Sequence, residues 1–319
     1  MNDIKKQSTA CITSIFLSDL SERDRLWDSH RKKTTQVERI YQGSEPHQSY
    51  AERMHVCSTF LDFRLVPDEE QLKLKLSGAM FCHVRFCPVC QWRRSKGWQA
   101  KALTIVPKVL EAYPTYRWLF LTLTVKDVSV VNLRDEVKHL NESFKRLTKL
   151  KDFPAEGWLR CVEVTRSQTQ NGYAHPHIHA LLIVKSTYFN VNYLSLERWR
   201  DIWAKSARLD YRCQVDVSTY EKIGKTVEEL KSLTKMLCET IKYQVKESDL
   251  TVDSNWTLEV TDQLKKTRAI STGGILKTYF RDLENEPEDL IGKDDKEEET
   301  LGHVFAIWRR DCQRYVIKD

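Results

Sequence analysis

From about residue 51 the chain settles into alternation. STFLDFRLV and QLKLKLSGAMFCHV place apolar side chains at roughly every second position, as half-buried strands do. Residues 94–112 repeat their apolar positions at helical spacing and stop near Tyr113-Pro114. RWLFLTLTV (117–125) predicts a strand, and Val131, Val137, Leu140, Phe144 and Leu147 mark one face of a helix over 131–149. GWLRCVEVTRSQ (157–168) predicts a second strand, joined through the turn residues QTQNGY to GYAHPHIHALLIV (172–184) as a hairpin. A helix over 195–208, a strand in YRCQVDVSTY and a long helix over 226–247 follow. RAISTGGILKTYF crosses a Gly-Gly loop into an apolar segment, and VFAIWRRDCQRYVI closes the chain with one or two strands. Residues 1–50 are polar without sustained periodicity and predict a flexible N-terminal arm with one short helix at most. Mixed strands and helices around a central hairpin predict an α+β class, a central antiparallel sheet with flanking helices.

With 319 residues the chain can bury a sizeable core, as one large domain or two smaller ones. No apolar run reaches membrane-spanning length and no signal peptide is evident, so a cytoplasmic setting is expected. In that reducing setting the nine cysteines point to metal binding or burial before disulfides. The formal net charge of +6 hides an asymmetry: residues 282–300 hold ten Asp/Glu against two Lys, −8, leaving +6 + 8 = +14 elsewhere. A basic body with a detached acidic segment suits a polyanion partner such as nucleic acid.

A strand turns alternate side chains to one face, so His175, His177 and His179 line up while Pro176, Ile178 and Ala180 point away. On the preceding strand Cys161, Glu163 and Thr165 share a face, and Val162 and Val164 oppose them. A mid-strand carboxylate between two valines calls for a partner. A hairpin register placing Glu163 near His177 or His179 gives two imidazoles and a carboxylate, a set suited to Mn²⁺ or Mg²⁺ with open positions left over. His175, nearest the turn, faces substrate or supports the ligands. The bland alternatives are core or surface histidines and an edge carboxylate in a salt bridge.

Three further groups stand out. Leu230, Leu233, Leu237, Ile241 and Val245 form an apolar helical stripe, and Glu239, Tyr243 and Lys246 fall on another face at i, i+4 and i+7. A carboxylate base, a phenol nucleophile and an ammonium that holds phosphate make a phosphate-chemistry set, with an ordinary exposed face as the plain alternative. Cys82, Cys87 and Cys90, joined by Cys57 upstream, supply four thiolates for a structural Zn²⁺ site, with His83 or His55 as substitutes for one thiol. Arg93, Arg94, Lys96 and Lys101 interleave with Trp92 and Trp98, a composition that suits DNA contact.

FLTLTV (120–125), His177-Ile178-His179 and ETIKYQVK (239–246), in that order and below CHVRFCPVCQWRRS, resemble the HUH superfamily of single-strand DNA endonucleases. Within it the chain is most similar to single-tyrosine plasmid rolling-circle replication initiator (Rep) proteins. The resemblance spans roughly residues 55–280. It implies a ferredoxin- or RRM-like core, Tyr243 as nucleophile, a metal held by His177, His179 and a third ligand assigned to Glu163, and Glu239 activating water in termination. It implies plasmid origin DNA as substrate, with host helicase and polymerase as partners. The expected organisation is an arm (1–50), a zinc-binding and DNA-contact module (51–100), an endonuclease domain (101–280), an acidic linker (281–300) and C-terminal strands (301–319). A transposase or relaxase of the same superfamily is one rival; a non-enzymatic zinc-containing DNA-binding regulator is another.

Overall fold

The computed structural model describes residues 14–68, 71–220, 227–241, 243–281 and 300–318. Most of the acidic segment, residues 282–299, lies outside the described residues. In chain order the helices are α1 (Leu17–Leu20), α2 (Arg25–Gln42), α3 (Gln48–His55), α4 (Pro88–Ala112), α5 (Leu133–Leu147), α6 (Leu196–Ala207), α7 (Val227–Thr240), α8 (Ser254–Gln263) and α9 (Ile275–Arg281). The strands are β1 (Phe60–Asp68), β2 (Gln71–Ala79), β3 (Arg117–Thr124), β4 (Val128–Ser129), β5 (Ala155–Arg166), β6 (Tyr173–Val184), β7 (Val215–Tyr220), β8 (Ile270–Gly274), β9 (Gly302–Arg309) and β10 (Arg314–Lys318). The expected α+β class holds: antiparallel sheets are flanked by helices. The chain divides into two units, residues 1–94 with 287–319, and residues 95–286. Among the described residues no helix is long and apolar enough to cross a membrane.

The first unit carries a four-stranded sheet in the order β10-β9-β1-β2. Its buried face presents Leu61, Phe63, Ala306, Trp308 and Tyr315. Trp27 of α2 meets Phe63 and Tyr315 edge to face, at ring separations of 6.3 and 6.4 Å. Two expectations change here. Residues 1–50 were expected as an arm, and instead their described part supplies α1, α2 and the start of α3. The buried face of α2 explains why: beside Trp27, Val37 and Tyr41 it buries His30, Arg31, Thr34 and Glu38, so the helical period is written largely in polar residues. Arg31 is held there by Thr35 Oγ1 and the carbonyl of His55. The C-terminal strands, expected as a separate segment, pair with β1 through β9.

The second unit is built on a sheet in the order β7-β3-β6-β5-β8, with β4 pairing to β6. Leu121, Leu123, Val162, Val164, Ile178, Ala180 and Leu182 point to one face. There Arg160 donates to Asn141 of α5 at 2.6 Å and lies over the Phe144 ring. On the other face Trp118, Leu159, Leu181 and Ile183 form a core with Leu233, Met236 and Leu237 of α7 and Ile105, Val106 and Val109 of α4. That core covers one end of the face. The histidines occupy the other. Gly273 makes the β5–β8 contact possible: a Cβ there would sit 1.9 Å from Trp158 Cζ2.

Candidate active site

Strand pairing creates the centre. β5 and β6 align Glu163 with His177, Cys161 with His179 and Thr165 with His175, the register the alternation implied. Glu163 is 3% exposed and His177 9%. Glu163 Oε2 lies 3.2 Å from His177 Nε2 and 2.9 Å from His179 Nε2, and the two nitrogens are 3.1 Å apart. Burial alone would raise the Glu163 pKa, but hydrogen bonds and charge from both imidazoles hold it well below the usual carboxylate range.

The rings are oriented from behind. His177 Nδ1–H donates to the carbonyl oxygen of His175 at 3.2 Å, which turns Nε2 toward Glu163, where it would bind an ion once it has given up its proton. His179 Nδ1 lies 3.1 Å from Thr122 Oγ1, and its ring stacks on Phe120 at 5.5 Å. His175 is not part of the cluster; its Nδ1 pairs with Asp127 Oδ1 at 2.7 Å. Sequence reading singled out neither Asp127 nor Thr122. Thr122 was legible as the neighbour of His179 only once β3 was known to pair with β6.

These donors fit a metal ion. Three ligand atoms 2.9 to 3.2 Å apart are what an ion at about 2.1–2.2 Å would hold at angles near 90°, the edge of an octahedral shell. Buried imidazole nitrogens facing one another otherwise need a proton between them or an ion. Glu163, His177 and His179 together can hold one ion.

The Tyr243 segment comes to β5 by a different route from the expected one. α7 ends at Thr240, so Glu239, Tyr243 and Lys246 do not share a helical face. The chain leaves the helix because Gln244 and Val245 run beside β5: Val164 N–H donates to Gln244 O at 2.7 Å, and Val245 bridges Val164 in parallel. Tyr243 therefore enters along the strand that carries Glu163. Its phenol is half-buried, and burial, then the charge of Glu247, push its pKa up. Glu247, itself buried, was missed, and helical spacing gives no signal for it because the segment is not helical. Lys246 is exposed, and Glu239 sits in the last turn of α7. Cys161, on the histidine face, is an ordinary buried thiol pushed up to about 12 by burial and the nearby Glu163 charge.

In the first unit Cys57, Cys82, Cys87 and Cys90 converge, all buried. Sulfur separations are 3.7 Å for Cys57–Cys87 and Cys57–Cys90, and 3.5 Å for Cys82–Cys90. Four thiolates at about 2.3 Å from a tetrahedral ion lie about 3.8 Å apart, so this cluster also fits a metal. Thr34 of α2 lies 3.6 Å from Cys87 Sγ and accepts the Val89 N–H, which ties the N-terminal helices to the cluster. His55 pairs with Glu38 at 2.8 Å and is not among the ligands. Of the expected DNA contacts, Arg93 lies over the rings of Trp27, Phe81 and Trp92, Arg94 donates to the Arg85 carbonyl, Lys101 lies over Trp98, and Lys96 is exposed.

A Glu-His-His cluster on one sheet and a four-cysteine cluster in the other unit define a protein with two candidate metal centres. The comparisons specify its kind. A model of the Replication protein family matches residues 73–316. The chain is 33% identical over 308 residues to Protein rep of Streptococcus pneumoniae serotype 2 (strain D39 / NCTC 7466), covering 93% of each. It is 36% identical over 282 residues to Protein rep of Lentilactobacillus hilgardii, 84% of this chain and 87% of the relative. A Replication protein of Staphylococcus aureus is 34% identical over 230 residues, 67% of this chain and 96% of the relative. No solved structure gives a significant match. The chain belongs to the Rep replication-protein family, and its role lies in plasmid replication.

Proposed function

We propose that the protein is a metal-dependent, tyrosine-nucleophile DNA endonuclease of the HUH type that starts rolling-circle replication at a plasmid origin. One observation carries the reading. Glu163, His177 and His179 aim three ligand atoms at one point, and the Val164–Val245 bridge draws the Tyr243 segment along the same strand. Glu163, His177 and His179 would hold an Mn²⁺ or Mg²⁺ ion, which would supply polarisation of the scissile phosphate and offset the charge developing on it.

The protein's own residues do the rest. Tyr243 Oη attacks the phosphorus and its proton passes to a base. The P–O3′ bond breaks, the leaving oxygen takes up a proton as a free 3′-OH, and the 5′-phosphate remains on Tyr243. That 3′-OH primes host polymerase behind a host helicase. Lys246 contacts the phosphate. At termination Glu239 takes a proton from water, whose oxygen attacks the second scissile phosphate. The 3′-OH freed there attacks the phosphotyrosyl phosphorus, the bond to Tyr243 Oη breaks, and the phenol regains a proton, so the protein is released. Zn²⁺ in the cysteine cluster is structural, its four positions filled by thiolates.

The test is cleavage of a single-stranded oligonucleotide carrying the origin hairpin, with Mn²⁺ or with EDTA, by wild type and Tyr243→Phe. The expected result is a denaturation-resistant protein–DNA adduct that needs metal and vanishes in the variant. Cleavage that persists in Tyr243→Phe overturns the reading.

A further inference from the structure

The first unit has a second sheet face, opposite the one that packs on α2. Strand pairing gathers its side chains in rows: Lys75, Arg64 and His303; Asp62, Phe305 and Lys318; Phe60 and Ile307. Two phenylalanines stand in solvent there, Phe60 at 44% and Phe305 at 37% exposed. Phe60 and Phe305 are near parallel, 21° apart with centroids at 5.6 Å, and His303 stacks on Phe305 at 22° and 5.9 Å. Atoms in face-to-face contact sit about 3.5–4.0 Å apart, so these rings are offset and each keeps part of a face open. His303 does not swing freely: its Nδ1 pairs with Asp62 Oδ1 at 2.7 Å. The result is a short, ordered row of three π faces beside Arg64, Lys75 and Lys318.

We propose that this face binds single-stranded DNA, with unpaired bases stacked on Phe60, Phe305 and His303 and phosphates held by Arg64, Lys75 and Lys318. A buried aromatic core needs no cations beside it, and a solvated charged strand needs no exposed phenylalanines; a stacking platform needs both. Unpaired bases are the fitting ligand, because in a duplex each base face is covered by its neighbours. The inference takes from the proposed function only that DNA is the ligand. It uses neither the metal centre nor Tyr243, and it assigns DNA contact to a surface other than the basic stretch that follows the cysteines.

The experiment uses the full chain and a fluorescently labelled thymidine-rich 20-mer, alone or annealed to its complement, in anisotropy titrations at several salt concentrations. Metal-dependent cleavage of an origin hairpin is measured in parallel, so failure of the nuclease reading shows separately. Phe60→Leu with Phe305→Leu keeps apolar volume on the strands and removes the rings. The expected result is single-strand affinity weakened by at least about tenfold, with duplex affinity and salt slope unchanged. Arg64→Gln with Lys318→Gln should instead lower the single-strand salt slope by about 1.4. Unchanged single-strand affinity in the ring variant, or equal loss for duplex, overturns the proposal. As a check that needs no variant, photo-crosslinking of a bromodeoxyuridine 20-mer to wild type should label peptides containing residues 60–64 or 303–307. Crosslinks confined to other peptides overturn it as well.

Discussion

Replacing Glu163 by Gln removes one charge and almost no volume from the centre. In wild type without added Mn²⁺, Oε2 meets both histidine nitrogens at 2.9 and 3.2 Å. Hydrogen bonds to a charged group contribute roughly 1.5–3 kcal/mol each and neutral ones about 1, so the exchange should cost roughly 1–3 kcal/mol of stability. The sign with pH follows from the depressed carboxylate: its contribution is present above the unfolded value, about 4.3, and is lost as pH falls through the folded one. The gap between wild type and Glu163→Gln, seen in urea titrations at pH 7, should therefore close in acid. Binding of Mn²⁺ should suffer more. Losing a group that merely orients a ligand costs about 10–100-fold in metal affinity, so losing the one anionic ligand should cost at least about 100-fold by calorimetry. Cleavage should fall in step and recover in part at high Mn²⁺. Mn²⁺ affinity left intact while cleavage is lost would refute Glu163 as a ligand.

Cys90→Ser should release the zinc and lower the thermal midpoint of the first unit, because binding and folding are coupled in such clusters; full zinc content by elemental analysis would contradict the four-thiolate assignment. Gly273→Ala places a methyl group within 1.9 Å of the Trp158 ring and should destabilise by roughly 2–3 kcal/mol or more, read as a drop in Tm; an unchanged Tm would mean that β8 does not lie against β5 as described. The pKa of Tyr243 is raised by burial and then by Glu247, so from about pH 6 to 9 its phenolate fraction grows about tenfold per unit. Cleavage at saturating Mn²⁺ should rise over that window, and a flat profile would show that deprotonation of Tyr243 does not limit the rate.

Period-two patterns carried the centre well. Once the hairpin 157–184 was read, face and register followed, and Glu163 fell opposite His177. What failed were inferences that assumed an element continues. A helical stripe through Leu233, Leu237 and Ile241 extrapolates smoothly to Val245, yet β-branched Val245 is buried beside β5, where pairing with Val164 outweighs one more helical turn. That choice separates Tyr243 from Glu239 and places Glu247 in reach of its charge. α2 escaped notice for another reason: Arg31, Thr34 and Glu38 are buried by mutual pairing and by the cysteine cluster, so polarity gave no outline of its inner face. Pairing of β9 with β1, across more than 230 residues, had no local signal at all.

The two centres differ in a way that separates their roles. In the cysteine cluster every position of a tetrahedral ion is met by sulfur, and a hydroxyl from α2 closes the surround, so such an ion has no position left for a phosphate oxygen. At the histidine strand only three ligand atoms converge, so an ion held there would have positions left for water or a phosphate oxygen. Fixed imidazole orientations, set by a carbonyl and a threonine rather than by the ion, mean that the ligands do not have to reorganise as charge develops on a bound phosphate. Rigid ligands on paired strands, with the Tyr243 segment running beside β5, suit the displacement proposed above. On the proposed reading, chemistry falls to the histidine strand, and the cysteine cluster supports the fold of the first unit.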